Sequence, residues 1–375
     1  MKRLVVAAGG GGDVIAATML RTALFGPAAP ALVLTYSWER LTVDPLPGPR
    51  GRSDFTGLAV PLPGLELVTG RTIPVAPAGS SLPRLARELG APLGLLDPYE
   101  GAVGLARTLT AAAAYCGAAR IEVVDVGGDI VAAGDEPTLR SPLGDALVLA
   151  ACARTGLPTD VHVAGPGLDR EVPEAELFAR LPPAAFTLGA DAVAPVRPVF
   201  DWHPSEASAM LAAAARGVRG LCGIRDVPEP LRLDARSAGV HRLSLSQALA
   251  RSPLARLLTD CRNLAEAELA SVEVCGFSEI ARERVRAAAP AESAPDDAEF
   301  PVPSEAGPAD VVARHARWQA ELAGRGLTLV TRRRLVEGLA LDRAGDLLLR
   351  ARLGADPAQN AAPLWRVPGR AHLRG

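Results

Sequence analysis

The stretch VVDVGGDIVAAGDEPTLRSPLGDA, residues 123–146, gathers Asp125, Asp129, Asp135, Glu136 and Asp145 around the glycines Gly127 and Gly128. Carboxylates carried on glycine turns can ligate Mg²⁺ or bind sugar hydroxyls, and crowding that raises one pKa makes them general acids or bases. Asp125 closes an apolar run, the place where open α/β sheets hold their ligands. The plainer use of these residues is local: Asp129 or Ser141 can satisfy the free amides at a helix start.

A second glycine-acid stretch, VVAAGGGGDVIAA, occupies residues 5–17 and sets Gly9, Gly10, Gly11 and Gly12 before Asp13. A glycine turn between a strand and a helix offers free N–H groups and the positive end of a helix dipole, which together attract anions. The spacing departs from the dinucleotide fingerprint G-x-G-x-x-G, because position 14 is valine and Glu39 lies too far along for the usual ribose-binding acid. A simple turn therefore stays open beside a phosphate cradle. The only lysine in the chain is Lys2, so a P-loop lysine and a pyridoxal-phosphate Schiff base are both excluded.

Other residues frame these two stretches. Arg40, Arg50 and Arg52 sit in TYSWERLTVDPLPGPRGR, a stiff proline loop that could clamp an anion or simply form surface ion pairs. Asp97 in DPYEG is expected to cap the following helix. Five histidines occur singly, with no H-x-x-x-H or H-E-x-x-H, which argues against zinc; His162 and His203 lie beside a strand and a turn and are candidates for chemistry or for structure. No G-x-S-x-G nucleophile elbow is present.

The elements that must position these groups alternate. RLVVAA reads as a buried strand, DVIAATMLRTALF as a helix with Asp13 at its N-cap, PALVLTYSW as a second strand, and IEVVDV and DVHVAG as later strands separated by helices. The expected fold is α/β, a Rossmann-like, doubly wound and mostly parallel sheet with flanking helices. Residues 1–288 are expected to form this unit, 289–309 a linker rich in proline, alanine and acids, and 310–375 a small helical segment with a short strand that packs on or covers it.

Composition narrows the partners. Lys+Arg of 40 against Asp+Glu of 42 leaves a net charge of −2, without the basic excess of a nucleic-acid or anionic-membrane binder. The five cysteines are dispersed and form no C-x-x-C pair, as expected of reduced thiols in a cytoplasmic protein. No apolar run reaches the roughly 18 residues of a membrane span. Homo-oligomerisation stays open.

GGGGDV at 9–14, WERLTVDPLPGPR at 38–50, DVGGDIVAAGDEPTLRSPLGDALVLA at 125–150 and GFSEIARER at 276–284 together resemble the domain-of-unknown-function 1152 family of archaea and actinobacteria. The resemblance implies one α/β domain and little about reaction. The expectation carried forward is a small-molecule enzyme of hydrolase or transferase type acting on a ribosyl or phosphorylated substrate. Gly9–Gly12 would hold an anionic or nucleotide-like group, with Gly127, Gly128, Ser141 and Asp145 beside it and Arg40 or Arg50 steadying the charge. Asp129 is the preferred reactive acid, followed by Asp125, Glu136 and Asp13, and Asp125 with Asp129 could hold Mg²⁺. The alternatives are a dinucleotide-dependent oxidoreductase and a non-catalytic metabolite-binding accessory protein of a biosynthetic pathway.

Overall fold

A computed structural model describes residues 3–225, 229–289 and 308–368. Nearly all of the segment read as a linker lies outside those residues.

The expected opening is present. Strand β1 (Arg3–Ala7), helix α1 (Asp13–Phe25) and strand β2 (Ala31–Tyr36) form a β-α-β unit, and β1 pairs with β2 in parallel. Three further strands, β3 (Leu93–Leu96), β4 (Ile121–Val126) and β5 (Thr159–Ala164), complete a parallel core in the order β5-β4-β1-β2-β3. The order reverses between β1 and β4. Antiparallel strands extend both edges: Leu65–Val68 and Ala59–Leu62 beyond β3, and Gly239–Ser244 and Ala184–Thr187 beyond β5. The fold is thus α/β around a large, mostly parallel sheet.

Burial on both faces explains why the parallel strands read as continuous apolar runs. Leu4 and Val6 of β1 point into one core and Val5 and Ala7 into the other, all at 0% exposure. Helices α3 (Gly101–Cys116) and α4 (Pro142–Thr155) cover the first face, while α1, α2 (Leu82–Glu88) and α5 (Glu206–Ala215) cover the second. The five cysteines are free thiols, four of them buried. Among the described residues no helix is long and apolar enough to cross a membrane.

Residues 53–96, to which the sequence pattern assigns no element, carry structure. After Arg50 the chain forms the edge hairpin and then α2 before re-entering the sheet as β3. The C-terminal region also holds more than a strand and a helix. Pro308–Gly324, Leu329–Val330, Arg332–Gly338, Arg343–Ala355, Asn360–Ala361 and Leu364–Arg366 alternate as helix, strand, two helices and two strands. Its strands join a second sheet in the order Leu231–Leu233, Gly220–Gly223, Leu329–Val330, Leu364–Arg366, Asn360–Ala361, so this region continues a sheet begun in the preceding chain.

Candidate functional site

A cavity of about 880 Å³ opens at the C-terminal ends of β1 and β4, where the strand order reverses. Its walls include Gly9–Gly12, Asp13, Arg40, Asp129, Ser141 and Asp145, so the two glycine-acid stretches meet as expected. Asp125, 1% exposed, lies beneath it, with a carboxylate oxygen within 4.8 Å of oxygens of Asp13 and Asp145.

Asp13 is not the N-cap: Gly12 holds that position, and the Asp13 carboxylate turns back to accept from the Gly9 N–H at 3.0 Å. No hydrogen bond among the described residues uses the N–H groups of Gly10, Gly11 and Gly12. Part of the glycine requirement is packing, because a Cβ on Gly12 would sit 2.0 Å from the Ser205 hydroxyl. Ser205 caps α5, accepting from Ser208 N–H, and the Ser208 hydroxyl in turn donates to the Gly12 carbonyl at 2.8 Å. The start of α5 is thereby fastened to the glycine turn.

Gly127 and Gly128 lie outside the cavity lining, and Gly127 serves a neighbour. Its backbone has φ of +113°, and a Cβ there would come within 2.0 Å of the Asp169 side chain. Glycine at 127 lets Asp169 reach the cavity wall. Ser141 does not cap α4 with its own oxygen; its hydroxyl donates to Glu171 at 2.5 Å, and the same carboxylate accepts from the N–H groups of Arg140 and Ser141 at 2.7 and 2.8 Å.

The carboxylates crowd one another. Burial, and then the charges of Asp145, Asp13 and Asp169, push Asp125 well above the usual carboxylate range. Asp129 is raised by burial and by Glu171, Asp125 and Asp169, and Asp145 by burial and by Asp129 and Asp13. Burial lifts Asp13 to about 7 against the Gly9 hydrogen bond, and lifts Asp169 to about 8 with help from Glu171. Such crowding is a mark of functional sites.

Several cavity residues had no sequence signal of their own: Asp169, Glu171, Ser205 and Glu279. Glu279 belongs to helix α6 (Glu279–Ala288), which forms another wall, and burial followed by Glu283 raises its carboxyl well above the usual range. Glu283 ties α6 to the loop after β2, accepting from the Trp38 indole N–H at 3.1 Å and the Gly48 N–H at 2.6 Å. His203 lines the same space, 6% exposed, and its Nδ1 accepts from Ser205 N–H at 3.2 Å. Burial and the nearby Arg40 lower its pKa to about 3, so the ring is neutral with its proton on Nε2. That Nε2 is buried and has no hydrogen-bond partner among the described residues.

Other expected site residues are placed elsewhere. Glu136 accepts from the N–H groups of Ala133 and Gly134 at 2.7 and 2.9 Å and from Arg180, so the Glu136 carboxylate is used to hold its own loop. Asp135 is likewise absent from the lining. Arg50 pairs with Asp44 at 2.9 Å and donates to the Pro47 and Gly48 carbonyls at 2.6 and 2.8 Å, bracing the proline loop. His162 is a buried strand residue 2.8 Å from Glu122, and Asp97 caps the short turn 98–100 by accepting from Tyr99 N–H. Removing the Glu136 partner with Arg180→Ala is expected to lower unfolding free energy by about 1–3 kcal/mol. Urea unfolding checks this, and ligand responses of the cavity should be unchanged.

No curated protein and no solved structure matches the chain. A family model does match, over residues 4–287, and its span contains every glycine, carboxylate and histidine described above as lining the cavity. The chain belongs to the family described as Protein of unknown function (DUF1152).

Proposed function

We propose that the cavity binds a phosphate-bearing, nucleotide-like small molecule, and that the protein is an enzyme of hydrolase or transferase type acting on a ribosyl or phosphorylated substrate. The observation that carries this reading is the neutral, buried His203 Nε2–H without a partner, in the same cavity as the glycine turn at the start of α1. The N–H groups of Gly10, Gly11 and Gly12 and the His203 Nε2–H are donors for an anionic oxygen, and none of them has an acceptor among the described residues. The crowded carboxylates across the cavity supply groups able to hold or move a proton near neutral pH. Asp169 suits that work best, since its raised pKa lies near 8.

The strand order supports a Rossmann-like, doubly wound assignment, because the parallel core reverses between its first and fourth strands as dinucleotide-binding sheets do. That order also favours the second reading, a dinucleotide-dependent oxidoreductase. Glu39 lies just past β2 and lines the cavity, near where such sheets place the ribose-binding acid. Its Oε1, however, already accepts from the Ser81 N–H and hydroxyl at 2.8 and 2.5 Å.

Thermal unfolding in EDTA with ADP, ribose 5-phosphate, NAD and FAD tests the reading. Protection by the phosphorylated mononucleotide or sugar supports it, and protection by NAD or FAD alone transfers support to the oxidoreductase. His203→Ala is expected to weaken a phosphate ligand about tenfold, the loss of one hydrogen bond to a charged group. Because the ring stays neutral down to about pH 3, this contribution should not change between mildly acidic and neutral pH. Equal affinity of the variant and the wild type would remove His203 from the site.

A further inference from the structure

We propose that Asp13, Asp125 and Asp145 form a binding site for one hard divalent cation, Mg²⁺, Mn²⁺ or Ca²⁺, at the point where the strand order reverses between β1 and β4. Each residue offers one carboxylate oxygen, and the three oxygens lie within 4.8 Å of one another. Opposite ligands stand about 4.8 Å apart around Ca²⁺ and about 4.2 Å apart around Mg²⁺, from metal–oxygen distances of about 2.4 and 2.1 Å. The spacing therefore admits a single ion with little movement. An all-oxygen donor set selects a hard cation over zinc or copper.

A separate observation points to an occupant. Oδ2 of Asp125 and Oδ1 of Asp145 are buried, in residues 1% and 2% exposed, and neither accepts a hydrogen bond from any described residue. Buried acceptors without partners are rare in folded proteins and are found where a ligand or ion completes them. The remaining contacts hold the donors in place. The Gly9 N–H donates to Asp13 and orients it, the role that outer partners play around metal ligands. Elements from both sides of the reversal contribute. Asp13 begins α1 after β1, while Asp125 ends β4 and Asp145 lies in the first turn of α4. Asp129 and Asp169, also on the cavity wall, are not among the three ligands, which separates the metal-holding acids from those left for proton transfer.

This inference deepens the phosphate-binding reading and rests on it for the role of the cation, which would bridge the acid cluster to a phosphate oxygen. The site itself is tested without any organic ligand. Protein stripped with EDTA and dialysed is titrated with Mn²⁺ at neutral pH, following the electron paramagnetic resonance signal of the free ion, with Mg²⁺ and Ca²⁺ as competitors. The expected result is one Mn²⁺ per chain, displaced by Mg²⁺ or Ca²⁺. Asp125→Asn and Asp145→Asn should each weaken binding by about tenfold or more. Asp260→Asn, a change at a side chain 91% exposed, should leave it intact. Circular dichroism confirms the fold of each variant, and if one Asn variant fails to fold, the other reads the same site. Absence of stoichiometric Mn²⁺ binding to the wild type, or equal affinity in the folded Asn variants, overturns the proposal. If phosphate ligands still protect the protein in EDTA while Mn²⁺ does not bind, only the cation site falls. Mn²⁺ binding without protection by any phosphate ligand overturns the phosphate reading alone.

Discussion

Asp145→Asn is expected to melt above the wild type at about pH 8 in EDTA, by a margin that shrinks toward about pH 4. Asp145 is 2% exposed, and its carboxyl is raised well above its ordinary value by burial and by the charges of Asp129 and Asp13. A carboxyl with a raised folded-state pKa binds its proton more tightly in the folded than in the unfolded chain. Stability is therefore fully present below the unfolded value near 4 and is lost as pH rises toward the folded value. Asp13 and Asp169, raised to about 7 and about 8, set the same window, from about pH 4 to about pH 8. The wild type should accordingly lose melting temperature across that range. Replacing one charge by a neutral isostere removes both its desolvation and its repulsion. A higher melting temperature at the alkaline end follows, a few degrees for each kcal/mol gained in a chain of this size. Scanning calorimetry at the two pH values checks it, and a variant melting below the wild type at about pH 8 would show that Asp145 is held by a favourable interaction instead. Stability gained by removing a site residue is the expected signature of a group placed for function.

Glu283→Ala is expected to have the largest destabilising effect among changes at the cavity wall. Its carboxylate accepts from the Trp38 indole N–H and from the Gly48 N–H, and all three residues are buried. Truncation leaves two buried donors without an acceptor, at about 1–3 kcal/mol each, so a loss of about 2–5 kcal/mol is expected. Helix α6 and the loop after β2 would then lose their fastening, and both line the cavity. Weaker protection by phosphate ligands should accompany the lower urea midpoint. Glu283→Gln keeps one acceptor oxygen and should recover part of both. An alanine variant with unchanged midpoint would mean that solvent satisfies the two donors.

The parts of the fold legible in sequence were those with strong local pattern. Residues 4–8 and 121–126 are apolar runs because both sheet faces are covered, and the glycines and acids that follow mark the strand ends without ambiguity. The hairpin at 59–68 carries little such pattern: Val60 is 59% exposed, Pro61 interrupts the run, and the strands gain their partners only from β3. The site divides in the same way. Asp13, Asp129 and Asp145 stood out because two sheet-edge stretches carry them, and His203 was a candidate beside a turn, whereas Asp169, Glu171 and Glu279 arrive from two separate segments, on a loop and at a helix start, that converge only through topology. Glu136 and Arg50 had the composition of site residues but are consumed by backbone groups of their own loops, a fate that spacing does not reveal. Gly127 carried the one local hint of Asp169, a glycine whose left-handed conformation makes room for it.

The second sheet bears on aggregation. Gly220–Gly223 is flanked by Leu231–Leu233 on one side and by Leu329–Val330 on the other, and the latter is covered in turn by Leu364–Arg366. The C-terminal region thus shields a row of backbone donors and acceptors that would otherwise template pairing with another chain. Arg333 of that region also pairs with Glu206 at the start of α5, at 3.5 Å, and both residues line the cavity. The same contacts that keep a strand edge from sticking to its neighbours in a crowded solution therefore also set one rim of the binding cavity, coupling the chain's resistance to self-association to the shape of its site.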